Sequence, residues 1–318
     1  MLNYKVLCIG SATLDNFLTV EQPLSKIKLG DKVLVKSIEK HSGGGATNAG
    51  AALAKLGIKT KLLTKLGNDH DAEFIVKELK QYKLRNICLH HSKKNTDFST
   101  IISSEKEKDR IIYVHKGASE NLRITDFKKS QLNVKWIYLS SLMGKSFQTA
   151  KEIVKYAQRK KINLLFNPSL YLAKKGRNHL KLILQNTTIL ILNKEEAQAL
   201  LKLKNLPEKK LLKELTKLGP EKVIITNGAK RLYAYDNGKF YSLIPPKVKI
   251  IHTAGAGDAF TAGFLAGIIK NYHFADALRL GMTNSSSVVQ YVGTKNKLLT
   301  EKEAKSLMRK NIIKVKQE

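Results

Sequence analysis

Apolar and polar positions follow two different rhythms along this chain, and the change of rhythm divides it. Residues 4–9 form a mostly apolar run that ends in Gly10-Ser-Ala, which predicts a buried strand and a turn at the carboxyl edge of a sheet. Residues 17–20 and 32–41 alternate, as half-exposed antiparallel strands do. The small-residue run 46–56, stopped by Gly57, predicts a helix. A strand over 59–66 and a helix over 69–82 with an acidic first turn follow. Residues 86–91, 98–103 and 110–114 form a second group of strand-like runs. After Gly117 the pattern changes. Short apolar runs at 136–139, 164–166, 188–192 and 222–226 are separated by helical segments, which indicates a parallel sheet covered by helices. Residues 232–235 and 239–243 flank Asn237-Gly238, the pair that suits a tight hairpin turn. Pro245-Pro246 marks the exit from the hairpin, and from 256 onward the chain reads as helical, over about 256–269, 274–291 and 300–315. No repeat and no low-complexity linker interrupts it. The expected architecture is one α/β domain spanning 1–318, with strands within about 16–41 and 86–115 forming a small projecting sheet that could act as a lid.

Composition narrows the function. No apolar run approaches the eighteen or so residues of a membrane span, and the N-terminus is too quickly strand-like for a signal peptide. Cys8 and Cys88 each lie in an apolar run with no metal or disulfide spacing, so a cytoplasmic protein with buried free thiols is expected. The net charge of +31 raises the question of nucleic acid. However, 49 of the 57 basic residues are lysine, spread over the whole length without interleaved aromatics or repeated arginine forks. Stacking and base readout are therefore not supported, and diffuse lysine offers only weak, salt-sensitive contact with polyanions. No specific nucleic-acid partner is expected.

Two clusters of small residues carry candidate chemistry. The first is His252-Thr-Ala-Gly-Ala-Gly-Asp258. The amides of Ala254, Gly255, Ala256 and Gly257 can approach an anion closely, and a helix starting near Gly257 adds its unpaired first-turn N–H groups and its dipole. Asp258 then stands where it could deprotonate a hydroxyl, a combination that suggests phosphoryl transfer to an alcohol. The second cluster, Ser42-Gly43-Gly-Gly-Ala-Thr-Asn48, permits close approach of a ligand, and Asn48 can hydrogen-bond hydroxyls. Alternatively, this is a plain turn with Thr47 or Asn48 as helix cap. There is no Gly-x-x-x-x-Gly-Lys-Ser/Thr loop, no dinucleotide fingerprint (Phe260 stands where a third glycine is wanted) and no Gly-x-Ser-x-Gly elbow.

Taken in order, these motifs resemble the ribokinase-like (PfkB-type) carbohydrate kinases over nearly the whole chain. The matching elements are Gly10-Ser-Ala-Thr-Leu-Asp15, Gly43-Gly44 with Asn48, Asn193-Lys-Glu-Glu196, Thr226-Asn-Gly228 and the loop ending in Asp258. The resemblance implies a three-layer αβα sandwich with a mostly parallel sheet, and an ATP- and Mg²⁺-dependent sugar kinase acting on a primary hydroxyl. A nucleoside kinase is the alternative within the same chemistry, and a catalytically silent binding protein the alternative outside it. It further implies that Asp258 is the general base, of modest basicity and ionised at neutral pH, and that residues 254–257 form the anion hole. Asp15, Gly43, Gly44 and Asn48 would bind the acceptor; Asn193, Thr226, Gly228 and Asn284 would bind the nucleotide, with Asn284 against the adenine. Glu196 would hold Mg²⁺ partly through water. Projecting sheets in such proteins often pair between subunits, so a homodimer through the lid is expected.

Several positions depart from the family pattern. His252 replaces an Asp that helps to hold a monovalent cation, which argues against a potassium requirement. Thr13 and Ser140-Ser141 replace residues of ribokinases proper and argue against ribose. Arg231 replaces a glycine of the nucleotide loop.

Overall fold

The computed structural model describes residues 4–82, 84, 87–107, 110–204, 206–310 and 313–317. Alternate side chains of the central strands enter opposite layers, as the two-residue period of a strand requires. Val6 and Cys8 join one buried cluster while Leu7 and Ile9 join the other; Ile189 and Ile191 part in the same way from Leu190 and Leu192. Both faces of the sheet are thus apolar, and each is covered by helices. That is a three-layer αβα sandwich.

In chain order the first half comprises β1 (Val6–Ile9), β2 (Thr13–Val20), β3 (Val35–Gly43), α1 (Gly45–Lys55), β4 (Thr60–Gly67), α2 (His70–Lys80), β5 (Ile87–Ser92), β6 (Asp97–Ser104) and β7 (Arg110–His115). It continues through β8 (Trp136–Ser140), α3 (Gly144–Arg159), β9 (Asn163–Asn167), α4 (Leu170–Ala173), α5 (Arg177–Leu184), β10 (Ile189–Asn193), α6 (Lys194–Leu201) and α7 (Glu208–Thr216). The remainder is β11 (Lys222–Thr226), β12 (Leu232–Asp236), β13 (Lys239–Leu243), α8 (Ala256–Ile269), α9 (Phe274–Val288), α10 (Glu301–Lys310) and β14 (Val315–Gln317).

The large sheet runs β14-β13-β12-β11-β10-β9-β8-β1-β4-β5, parallel from β11 to β5 and antiparallel across the last three strands at the other edge. The connection sense reverses on either side of β1, which pairs with β4 on one side and β8 on the other. A crevice at the carboxyl ends of the strands is expected at such a point. The second sheet has the order β3-β2-β6-β7 and projects from that end.

Two expectations need correction. Residues 87–92 do not belong to the projecting sheet: β5 pairs in parallel with β4, because α2 supplies the crossover that a parallel pair needs. (Asn86 lies outside the described residues.) The C-terminal segment is not helical to 315. α10 ends at Lys310, and β14, with β-branched Val315 opposite Leu243, adds a strand to β13. The hairpin of β12 and β13, the helix over 256–269 and all four parallel strands from β8 to β11 lie where the sequence places them, to within a residue or two. Among the described residues no helix is long and apolar enough to cross a membrane. Cys8 is a buried free thiol; the side chain of Cys88 lies outside the described part.

Candidate active site

Asp258 occupies the first turn of α8, and the preceding backbone explains its glycine. Gly255, the N-cap, has a φ of +77°, and a Cβ there would lie 2.5 Å from the Thr294 carbonyl. Asn48 Nδ2 donates to Asp258 Oδ2 at 2.8 Å, and the Tyr138 hydroxyl lies 3.2 Å from Oδ1. The residue is half-buried at the wall of a cavity. Burial therefore raises its pKa, against the hydrogen bonds from Asn48 and Tyr138.

The expected anion hole is narrower than four amides. The Ala254 N–H donates to His252 Nδ1 at 3.1 Å, and the Ala256 N–H points to the Thr253 carbonyl at 3.3 Å. Gly255 and Gly257 remain as open donors at the head of the helix. His252 takes the position expected of a carboxylate and sits edge-to-face on Phe17, with ring centroids 4.9 Å apart. Burial, with Arg110 nearby, lowers its pKa to about 4, so the ring is neutral and Nδ1 is an acceptor.

Two cavities meet at this helix terminus. One, of about 370 Å³, lies across the strand tips and reaches Ser11, Ser140, Asn167, Glu196 and Asp258, with Val114 and Lys116 facing it from the projecting side. The other, of about 270 Å³, is mostly apolar and is lined by Pro245, Val248, Ile250, Phe260, Met282 and Ser286 among others. Asn193, Thr226 and Gly257 line both. An anion at Gly257 would therefore touch a ligand in either cavity, with Asp258 facing the polar one.

Comparison with known proteins identifies the family. The profile of the pfkB family of carbohydrate kinases matches residues 3–301. The chain belongs to that family. Its relatives include a nucleoside kinase of Methanocaldococcus jannaschii, 25% identical over 302 residues that make up 93% of this chain and 94% of the relative. A ribokinase of Bacillus subtilis is 27% identical over 94% of this chain and 98% of its own. Among solved structures, Arabidopsis thaliana ribokinase complexed with ribose and ATP superposes with a TM-score of 0.83 at 19% identity, covering 97% of this chain and 99% of that one. This pfkB kinase is accordingly a phosphotransferase with a hydroxyl acceptor, and its fold is that of ribokinase.

The remaining expected residues of the kinase divide into those the fold brings together and those it does not. Asp15 lies within β2 rather than in a turn. It is 8% exposed and accepts from Ser99 Oγ at 2.6 Å. Burial raises its pKa, against Ser99, Lys295, Lys116 and His41. Gly43 packs so closely on this carboxylate that a Cβ would stand 1.8 Å from Asp15 Oδ2. Gly44 is the N-cap of α1 with φ +95°, so neither Thr47 nor Asn48 caps that helix. Asn48 is committed on both sides, to Asp258 and to Thr294 Oγ1 at 2.8 Å, so in this structure it orients the acid.

Asn193 and Glu196 form a capping box on α6, each side chain bonded to the other's backbone N–H at 2.8 Å. Burial, helped by Asp258 and Glu195, raises Glu196 to about 7 against the Asn193 bond. Thr226 and Gly228 line the apolar cavity. Asn284 does not. It is fully buried, its amide donating to the Ala259 carbonyl and accepting from the Leu299 N–H, while neighbouring Ser285 and Ser286 face the cavity. Arg231 avoids any positive φ and reaches back to Ser242 Oγ at 3.3 Å.

Tyr138, Thr294 and Lys295 were not singled out from the sequence. Tyr138 is hidden inside an apolar strand, and Lys295 is one lysine among 49.

Proposed function

We propose that this kinase transfers the γ-phosphoryl group of ATP to a primary hydroxyl of a sugar or sugar-like acceptor. The observation that carries the reading is the wall shared by the two cavities, where Gly257 offers its amide to both and Gly255 and Asp258 face the polar side. The adenine-bearing end fits the apolar cavity, with Ser285 and Ser286 rather than Asn284 at its rim. The acceptor fits the polar one, beside Asp15 and Gly43-Gly44. As the acceptor oxygen bonds to the γ-phosphorus, its proton passes to Asp258, the bond to the β–γ bridging oxygen breaks, and ADP leaves. Charge growing on the transferred oxygens meets the glycine amides, which need no reorientation. Base catalysis of this kind contributes about 10²–10⁴ in rate.

Mg²⁺ fits the acid side of the site. Glu196 is held near 7 by burial and by Asp258, so a cation relieves an unfavourable charge there. Among the described residues no three His, Cys, Asp or Glu side chains converge to hold a metal by themselves, so water and phosphate complete the shell. Asn193 and Glu196 would hold the ion, which when bound would shield phosphate charge. His252 offers a neutral ring where a carboxylate would be needed, which argues against a potassium requirement.

The nucleoside reading stays in view because a nucleoside kinase matches over nearly the full length. A silent binding protein would have no need of Asp258 and its two partners. The outer face of the projecting sheet supports a lid-mediated homodimer: Ile38, Leu18, Ile102 and Ile111 form one cross-strand row opposite the Asp15 face, with Ile38 63% and Ile111 43% exposed. Sedimentation that finds only monomer removes that dimer. A buried, unpaired Cys8 supports a reducing, cytoplasmic location.

The test is an ADP-release screen over pentoses, hexoses, 2-keto-3-deoxy sugar acids and nucleosides, with Asp258→Asn alongside. Turnover of one class and its loss in the variant are expected. No turnover, or full rate in the variant, defeats the reading.

A further inference from the structure

Lys295 is 4% exposed, yet among the described residues no carboxylate lies within ion-pair distance of its ammonium. It donates to the Ser42 hydroxyl at 2.9 Å and to the Ser42 carbonyl. Burying an ammonium against a neutral partner is costly, so a contact ion pair does not explain it. Its surroundings do. Ser42 precedes the glycines that pack on Asp15, and its N–H donates to Glu78 Oε2 at 2.7 Å. Thr294 Oγ1, one residue from Lys295, lies within 3.0 Å of the Ser42 carbonyl and 2.8 Å of Asn48 Oδ1, and Asn48 in turn holds Asp258.

We propose that Lys295 is a positioning residue for phosphoryl transfer: its buried charge keeps Asp258 and Asp15 ionised in a dry site, and its bonds pin the turn at residues 42–45 between them. The electrostatics run both ways. Lys295 lowers both acids against their burial, while burial pulls Lys295 itself down to about 8 against Glu78, Asp15 and Asp258. The other groups acting on this set are Tyr138, Cys8 and Glu196 near Asp258, and Lys116 and His41 near Asp15. None of these supplies a buried cation to both acids at once except Lys295.

The inference rests on Asp258 being the base. It is tested by kcat/KM for the acceptor against pH, at saturating nucleotide and magnesium so that Glu196 stays ionised. Lys295→Met, Lys295→Gln, Ser42→Ala and Asp258→Asn are compared with wild type. Urea unfolding of the Met and Gln variants gives their folded fractions, because both lose the bonds to Ser42. Their acidic limb should move to higher pH by about half a unit to one unit, the low end of what a neighbouring charge does. Ser42→Ala, which keeps the charge, should leave that limb in place while lowering the rate. Limbs that superimpose on wild type in both lysine variants, or rates that fall only with the folded fraction, overturn the inference. An inactive Asp258→Asn beside unmoved limbs sinks it alone, whereas an active Asp258→Asn sinks the proposed function.

Discussion

Replacing Glu196 by Gln should stabilise the protein at pH 8 while weakening its use of magnesium. Gln keeps an oxygen for the Asn193 N–H and so preserves the cap, but removes the charge. A carboxyl moved from an ordinary 4.5 to about 7 carries an ionisation cost of about 3 kcal/mol, at roughly 1.4 kcal/mol per pH unit. Because the residue is partly open to the cavity, we halve this for solvent screening, to about 1–2 kcal/mol. The sign follows from the raised value. Below 4.5 the side chain is protonated in folded and unfolded chains alike, so no cost is felt. The cost grows as pH rises toward 7 and is complete above it. Urea unfolding of wild type and Glu196→Gln should therefore give a small Gln advantage at pH 5 and a several-fold larger one at pH 8. Magnesium should close that gap by stabilising wild type alone, and the magnesium needed for half-maximal activity should rise in the variant. A Gln variant less stable at both pH values, or an advantage that ignores pH, would refute the argument.

Three further outcomes are expected. Asn48→Ala removes the donor to Asp258 Oδ2, a charge-assisted bond worth about 1.5–3 kcal/mol, so kcat should fall roughly tenfold to a hundredfold with KM less affected; a pure KM effect would return Asn48 to acceptor binding. Gly44→Ala places a Cβ 2.4 Å from the Ser11 carbonyl at a φ of +95°, and thermal melts should show a loss of at least about 2 kcal/mol or no folded protein. Rates in potassium and in tetramethylammonium chloride should be equal, because His252 offers no carboxylate; activation by potassium would contradict this.

The parallel strands were legible because each apolar run is bounded by turn residues and is buried on both faces, as at 189–193. The helix start at Asp258 was legible because a run of small residues followed by an acid marks a helix N-terminus. Strand 87–92 was harder to place, since its residues resemble the projecting strands and only the crossover through α2 assigns it to the large sheet. Asn284 misled because its residue type suits a ligand, whereas its environment binds both ends of its amide to backbone. The raised pKa of Asp258 and the role of Lys295 depend on burial created by segments over two hundred residues apart, and no local pattern reports that.

The contact between α8 and α9 has a consequence for how such a protein can diversify. A Cβ at Gly263 would stand 2.8 Å from the Gly281 Cα, and one at Gly267 would stand 2.8 Å from the Ala277 Cα, so the two helices touch backbone to backbone. α8 carries Asp258, and α9 carries Met282, Ser285 and Ser286 on the rim of the apolar cavity. The proposed base and the proposed nucleotide seat therefore share one block with no slack, and any bulkier residue at the seam would separate them. The opposite wall has no such seam: Val114, Met143 and Tyr171 reach the polar cavity from separate segments that can change one at a time. Mutational drift is thus channelled to one side of the molecule, where the wall of the polar cavity can be rebuilt while the packed helix pair opposite stays frozen.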